Sequence, residues 1–343
     1  MNANQRQPTS TNANQPMQSN DTSPMKIGFI GLGNVGAKLA GSLQRNGFEL
    51  HVRDLDADAA APLLRRGARW ADSPKALAER VDMVITCLPS PAASAEVMEA
   101  ADGVIAGLSA GRIWLEMSTT DQAEVCRLGA LVAARGAGAL DAPVSGGCHR
   151  AATGNIAVFA GGARDAFERA LPALTTMGRR VLHTGALGSA SVLKVVTNYL
   201  ATANLISLCE ALVTSKAAGM DLNTAYEAIR ISSGNSFVHE TEGQVILNGS
   251  RDINFTMDLV RKDIGLFSAV AERCNVPLEL APLLIEIFAD GEAKYGAREW
   301  SPNIIRRLED ACDLQVRAPG FPAQMTDDEP EAPGREVRIN REA

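Results

Sequence analysis

The chain predicts a Rossmann-type doubly wound α/β domain followed by an all-α C-terminal domain, the two joined by a long interdomain helix. Three observations predict it. From Met25 onward, short apolar runs alternate with amphipathic stretches, the pattern of βαβ units and a mainly parallel sheet. A glycine-rich turn, Gly31-Leu32-Gly33-Asn34-Val35-Gly36, lies between the first such run and the first helical stretch. After about Gly188 the strand signals stop, and one long, nearly uncharged helical pattern opens at Ser189.

The elements follow in order. Strands are predicted at Lys26–Ile30, Glu49–Arg53, Asp82–Leu88, Ile113–Met117, Ala139–Asp141, Ile156–Ala160 and Arg180–His183. Helices are predicted at Asn34–Asn46, Ala57–Arg66, Pro74–Arg80, Gln122–Arg135 and Asp165–Thr176. The apolar stretch from Ser189 to Ala218 must be buried between two bodies, since a helix apolar all round has no face for water. Everything from there to about Cys312 reads as helix.

The organisation is therefore a disordered tail at residues 1–24, a dinucleotide-binding domain at 25–187, an all-helical substrate and dimerisation domain at 188–315, and an extended or disordered tail at 316–343. Asn, Gln, Ser, Thr and Pro dominate the first tail, and Pro319, Pro322, Pro330 and Pro333 punctuate the second. Two domains suit 343 residues at about 150 each.

Composition removes several classes of function. Lys plus Arg number 33 against 40 Asp plus Glu, a net charge of −7, so no basic stripe for nucleic acid is expected. No membrane helix is expected either, because the most lipid-like segment, Val195 to Cys209, is interrupted by Thr, Asn and Ser and bounded by Lys194 and Glu210. The six cysteines are scattered without C-x-x-C or Cys/His ligand spacing. That favours reduced thiols and a cytoplasmic protein, with no metal site.

The glycine turn speaks for a nicotinamide dinucleotide. Gly31 makes the tight turn, Gly33 lets a pyrophosphate approach the backbone, and Gly36 lets helix and strand pack closely. Asp54 closes the second strand, where a carboxylate accepts from ribose hydroxyls and repels a 2′-phosphate. Leu55 stands where NADP enzymes usually offer Arg, so NAD is expected over NADP. Leu88 and Pro89 are candidates to wall the adenosine or ribose, and Thr119 to approach the nicotinamide. Ser118 and Thr119 serve equally well as caps for the next helix.

Three further segments complete the pattern. Asp141-Ala142-Pro143-Val144-Ser145-Gly146-Gly147 ends a strand in a glycine-rich turn, Gly188 to Asn198 opens the long helix, and Phe255 to Asp263 lies in the helical half. With the Gly31–Gly36 turn, this set resembles the β-hydroxyacid dehydrogenases, the family of 3-hydroxyisobutyrate dehydrogenase and tartronate semialdehyde reductase, from about Lys26 to Leu308. The resemblance implies Lys194 as general acid/base, with Asn198 hydrogen-bonding the substrate. The i, i+4 spacing of these two puts them on one helix face, and burial would depress the lysine pKa. It further implies that Ser145 and the N–H groups of Gly146 and Gly147 hold a substrate carboxylate, and that Lys262 sits in the cleft near cofactor and substrate. The implied activity is hydride transfer between NAD and a small 3-hydroxy acid, in a homodimer or homotetramer built through the helical domain.

Several residues depart from the family pattern. Val35 replaces a Met, Ala190 a glycine, and Phe237 in Ser232–Phe237 stands where a Trp is common. After the cup, where small residues are usual, stand Cys148, His149 and Arg150. Arg150, with His149, could read a second anionic group. The favoured expectation is that one turn of helix rotates Arg150 to the outer face, covering apolar surface. Competing identities are weaker. A 6-phosphogluconate dehydrogenase would carry His-Asn where Thr197-Asn198 stand, while imine reductases and catalytically silent binding modules generally lack the lysine.

Overall fold

The computed structural model of the chain describes residues 25–339. The tail expected at residues 1–24 lies outside the described residues, as do 340–343. The strands are β1 (Lys26–Ile30), β2 (Glu49–Arg53), β3 (Arg69–Trp70), β4 (Met83–Thr86), β5 (Ile113–Glu116), β6 (Gly138–Asp141), β7 (Val144–Ser145), β8 (Ile156–Gly162), β9 (Gly178–Gly185) and β10 (Arg335–Glu336). They form one sheet in the order β10-β9-β8-β6-β5-β4-β1-β2-β3, with β7 beside β8. Every residue of β4 and β5 is buried, the reason these strands read as apolar runs up to their last residues, Thr86 and Glu116. Strand β1 pairs in parallel with both β2 and β4, so the winding reverses between β1 and β4. Ligands of such sheets bind at that crevice.

Three differences from expectation have local causes. Strands β3, β7 and β10 are two residues each, too short for a period-2 signal. Strand β8 runs antiparallel to β6 and β7, so the sheet is mixed at that end. The helix expected at Ala57–Arg66 is a 3-10 turn, Ala57–Ala60, followed by a helical turn at Ala61–Leu64, because Pro62 has no N–H to continue a helix across the join.

Helix Ser189–Ala217 spans 29 residues and packs on β8 at its start and on helix Met257–Arg273. By length and composition alone it could cross a membrane, a test that a core helix also passes. Here it is built into the fold: Leu205, Leu208 and Leu212 enter the core of the helical half with Val260, Ile264 and Phe288.

The segment expected as an extended or disordered tail is extended, but it is tied down along its length. Ala318 donates its N–H to the Leu247 carbonyl, and Asn248 Nδ2 donates to the Phe321 carbonyl. Asp327 then accepts from Thr153 and Asn155, and Glu331 from Ser42 and Asn46 while pairing with Arg45. Finally β10 joins the sheet edge beside β9. Polar contacts distant in sequence hold it, and these leave no hydrophobic period to read.

Candidate functional site

The glycine turn caps the crevice between β1 and β4. Gly31 has φ 97°, and a Cβ there would strike the Cys87 carbonyl oxygen at 2.3 Å. A Cβ on Gly36 would meet the Gly31 carbonyl oxygen at 2.0 Å. Both glycines are therefore required by the fold. Gly33 is different: a Cβ there would meet nothing within 4 Å. Its bare backbone faces outward with Asn34 at the entrance to helix Gly36–Arg45, where free N–H groups suit a pyrophosphate. These residues fit a dinucleotide. Leu32 and Val35 pack inward against the core and hold the turn.

Asp54 lies just beyond β2, and its carboxylate accepts from Leu32 N at 2.5 Å and Asp56 N at 2.9 Å. It thus ties the turn to the second strand while keeping lone pairs for a further donor. Leu55 is fully exposed beside it. Arg53 faces elsewhere, over the Trp70 ring and onto the Ala71 carbonyl.

The loops after β4 and β5 are joined: Leu88 N donates to Ser118 Oγ at 2.7 Å, and Ser118 N to the buried Glu116 carboxyl at 2.8 Å. Burial pushes that carboxyl above the usual range. Pro89 is exposed beyond Leu88. Neither Ser118 nor Thr119 caps the following helix; Asp121 does, accepting from Ala123 N and Glu124 N.

From the helical half, Lys262 reaches across. Its Nζ donates to the Thr119 carbonyl at 3.1 Å and lies 3.0 Å from Asp263 Oδ1. Asp263 is 2% exposed, and its other oxygen accepts from Asn198 Nδ2 at 2.5 Å. Asn198 Oδ1 in turn accepts from Lys194 Nζ at 2.8 Å. Thus Thr119, Lys262, Asp263, Asn198 and Lys194 form one chain of contacts between the two halves. Lys194 is 9% exposed, and burial pushes its ammonium down to about 8; Asp263 draws it upward and Lys262 downward.

The sequence gives Asp263 no role of its own within the Phe255 to Asp263 segment. Another carboxylate had no role assigned at all. Asp141, fully buried at the end of β6, accepts from Gly188 N at 2.8 Å, Ser191 N at 2.6 Å and Ser191 Oγ at 2.8 Å. Gly188 has no side chain with which to cap, so Asp141 caps the Lys194 helix from another element. The available signal was an acid ending a buried strand and a helix opening on glycine.

Four residues after Asp141 comes the cup. Gly146 and Gly147 have φ 126° and 87°, conformations open to glycine, and Ser145 Oγ makes no hydrogen bond among the described residues. Asp141 therefore holds the first turn of the Lys194 helix from the strand that leads into the cup. Arg150 is half-buried and, as expected, lies against apolar surface. Its Cδ would be 3.4 Å from a Cβ on Gly146, and its guanidinium stands 5.0 Å from the Phe237 ring centroid.

A family model described as the NAD binding domain of 6-phosphogluconate dehydrogenase matches residues 26–185. Another, described as the NAD-binding of NADP-dependent 3-hydroxyisobutyrate dehydrogenase, matches residues 188–308. The chain is 32% identical over 293 residues to 2-(hydroxymethyl)glutarate dehydrogenase of Eubacterium barkeri, covering 85% of this chain and 97% of that one. The chain belongs to the β-hydroxyacid dehydrogenase family. The family makes it an NAD(P)-binding oxidoreductase. It is also 30% identical to 3-sulfolactaldehyde reductase of Escherichia coli, over 80% of this chain and 93% of that one. The crystal structure of 3-hydroxyisobutyrate dehydrogenase from Salmonella typhimurium superimposes with a TM-score of 0.75 at 30% identity, covering 82% of this chain and 99% of that one. The family's two-domain plan matches the sheet and helical halves described above.

Proposed function

We propose that the protein is an NAD-dependent 3-hydroxyacid dehydrogenase, interconverting a small 3-hydroxy acid and its semialdehyde or keto acid with Lys194 as general acid/base. One observation carries the reading: a buried lysine, lowered to about 8, is aimed by Asn198 and Asp263 at the meeting of the two halves. A pKa near neutrality suits a group that must both take and return a proton. A silent binding module would have no use for such a pairing.

In oxidation the neutral Lys194 amine takes the proton of the C3 hydroxyl while the C3 hydride departs; in reduction the ammonium returns it. The bound nicotinamide supplies the hydride acceptor or donor. Gly31 to Gly36, Asp54, Leu88, Pro89, Thr119 and Lys262 are the residues assigned to hold that cofactor. Ser145 Oγ and the N–H groups of Gly146 and Gly147 hold the substrate carboxylate, which leaves C3 toward Lys194. Asn198 both orients the lysine and donates or accepts at the substrate hydroxyl. A fixed carboxylate and a fixed base together select 3-hydroxy over 2-hydroxy acids by geometry.

The test is a panel of 3-hydroxy acids assayed with NAD and NADP side by side. Turnover of 3-hydroxy acids with NAD preferred is expected, and failure to oxidise any member with either cofactor would sink the reading. Asp54 supports the NAD preference by repelling a 2′-phosphate. Asp54→Ala should narrow the preference, and Leu55→Arg added to it should tip it to NADP. A wild-type preference for NADP would instead show that Asp54 serves only to hold the Leu32 N–H.

The reading extends to assembly. Leu200 is 54% exposed on the long helix and Leu283 is 50% exposed on helix Leu280–Tyr295, with Leu193 and Leu280 also bare. Covering each such half-exposed side chain yields about 1 kcal/mol, and together they favour a second copy as the cover. A homodimer or homotetramer through the helical half should appear in sedimentation at micromolar concentration, and a lone 36.2 kDa species would exclude it.

A further inference from the structure

Resting on the dehydrogenase reading, we propose that Arg150, seated on Phe237, binds a second anionic group of the substrate, so that the preferred substrate is a di-anionic 3-hydroxy acid. Among the described residues the guanidinium has no ion-pair partner and donates no hydrogen bond. Cations elsewhere in the cleft are engaged: Lys194 by Asn198, Lys262 by Asp263 and the Thr119 carbonyl. Arg150 instead stands over an aromatic face.

The placement is specific. The Arg150 stem runs back over Gly146, the middle residue of the proposed carboxylate cup, and its head meets Phe237 at the start of helix Phe237–Glu240 in the helical half. It thus spans the two halves beside the cup. The ring contact uses none of the guanidinium N–H groups, which stay available for a bidentate grip on carboxylate, sulfonate or phosphate. Asp327 feels Arg150, but its carboxylate is held by Thr153 and Asn155. His149 is lowered by burial and then by Arg150, so at neutral pH it adds no second cation.

The test compares 3-hydroxyisobutyrate with 2-(hydroxymethyl)succinate and 2-(hydroxymethyl)glutarate, which add a carboxylate on a shorter and a longer arm. Wild type should favour one of the di-anions in kcat/KM. Arg150→Ala should lose about 10–100-fold on that di-anion, the loss of one charge-assisted bidentate contact, and less than threefold on the mono-anion. Arg150→Lys should fall between, since an ammonium supplies charge without the fork. Equal small losses on both substrates, or no wild-type preference, would overturn the proposal while leaving the dehydrogenase reading intact. Should no 3-hydroxy acid turn over, the dehydrogenase reading fails separately, and calorimetry decides this one. The NAD-loaded protein is titrated with 2-methylsuccinate and with isobutyrate. Tighter di-anion binding that Arg150→Ala abolishes upholds the anion site, and equal binding of the two removes it.

Discussion

Lys194→Ala is expected to lower kcat by about 10²–10⁴ while leaving dinucleotide affinity nearly unchanged. The amine ends the contact chain through Asn198 and Asp263, whereas the Gly31–Gly36 turn belongs to another element. NADH fluorescence titration and steady-state turnover separate the two effects, and a fall in kcat below tenfold would remove Lys194 from its role. The pH profile supplies an independent check. Oxidation needs the neutral amine, so its rate should climb with pH and level off above about 8. Reduction needs the ammonium, so its rate should be flat at low pH and decline above the same value. Asp263 raises the lysine; Asp263→Asn should therefore move both limbs to lower pH, a shift that simple loss of packing would not produce.

Glu309→Ala is expected to lower the unfolding free energy by about 3–5 kcal/mol, the usual cost of stranding one member of a buried ion pair. The side chains of Arg251 and Glu309 are 6% and 7% exposed and hydrogen-bonded to each other. Arg251 also donates to Asn303 Oδ1 at 3.2 Å, while Glu309 accepts from Val316 N at 2.9 Å and Arg317 Nη1 at 3.2 Å. Removing the carboxylate leaves a desolvated guanidinium and frees the chain at Val316. Urea unfolding measures the loss, and less than 1 kcal/mol would refute the assignment. The double replacement Arg251→Met with Glu309→Leu should recover part of the loss, because no charge then remains buried.

What was legible in the sequence had a local cause. The β1 strand, its glycine turn and the following helix form one continuous stretch, and each glycine has a backbone reason to be there. Lys194 and Asn198 are one helical turn apart, so spacing alone brought them together. Asp263 lies 65 residues from Asn198 and Asp141 lies 50 from Ser191, and no periodicity links such partners. The neighbour of Arg150 was not legible, because a six-residue helix has no amphipathic stripe to fix its rotation and Phe237 lies 87 residues away.

The C-terminal strap alters how the two halves can move. The chain crosses from sheet to long helix once, at residues 185–189. Two bodies sharing one crossing swing on it like a door on its hinge. The strap makes a second crossing, fastened to the helical half at Leu247 and Asn248 and to the sheet half at Asn155, Ser42 and β9. A door latched on its free side holds its angle. The angle between the two halves is thereby fastened at two places rather than one.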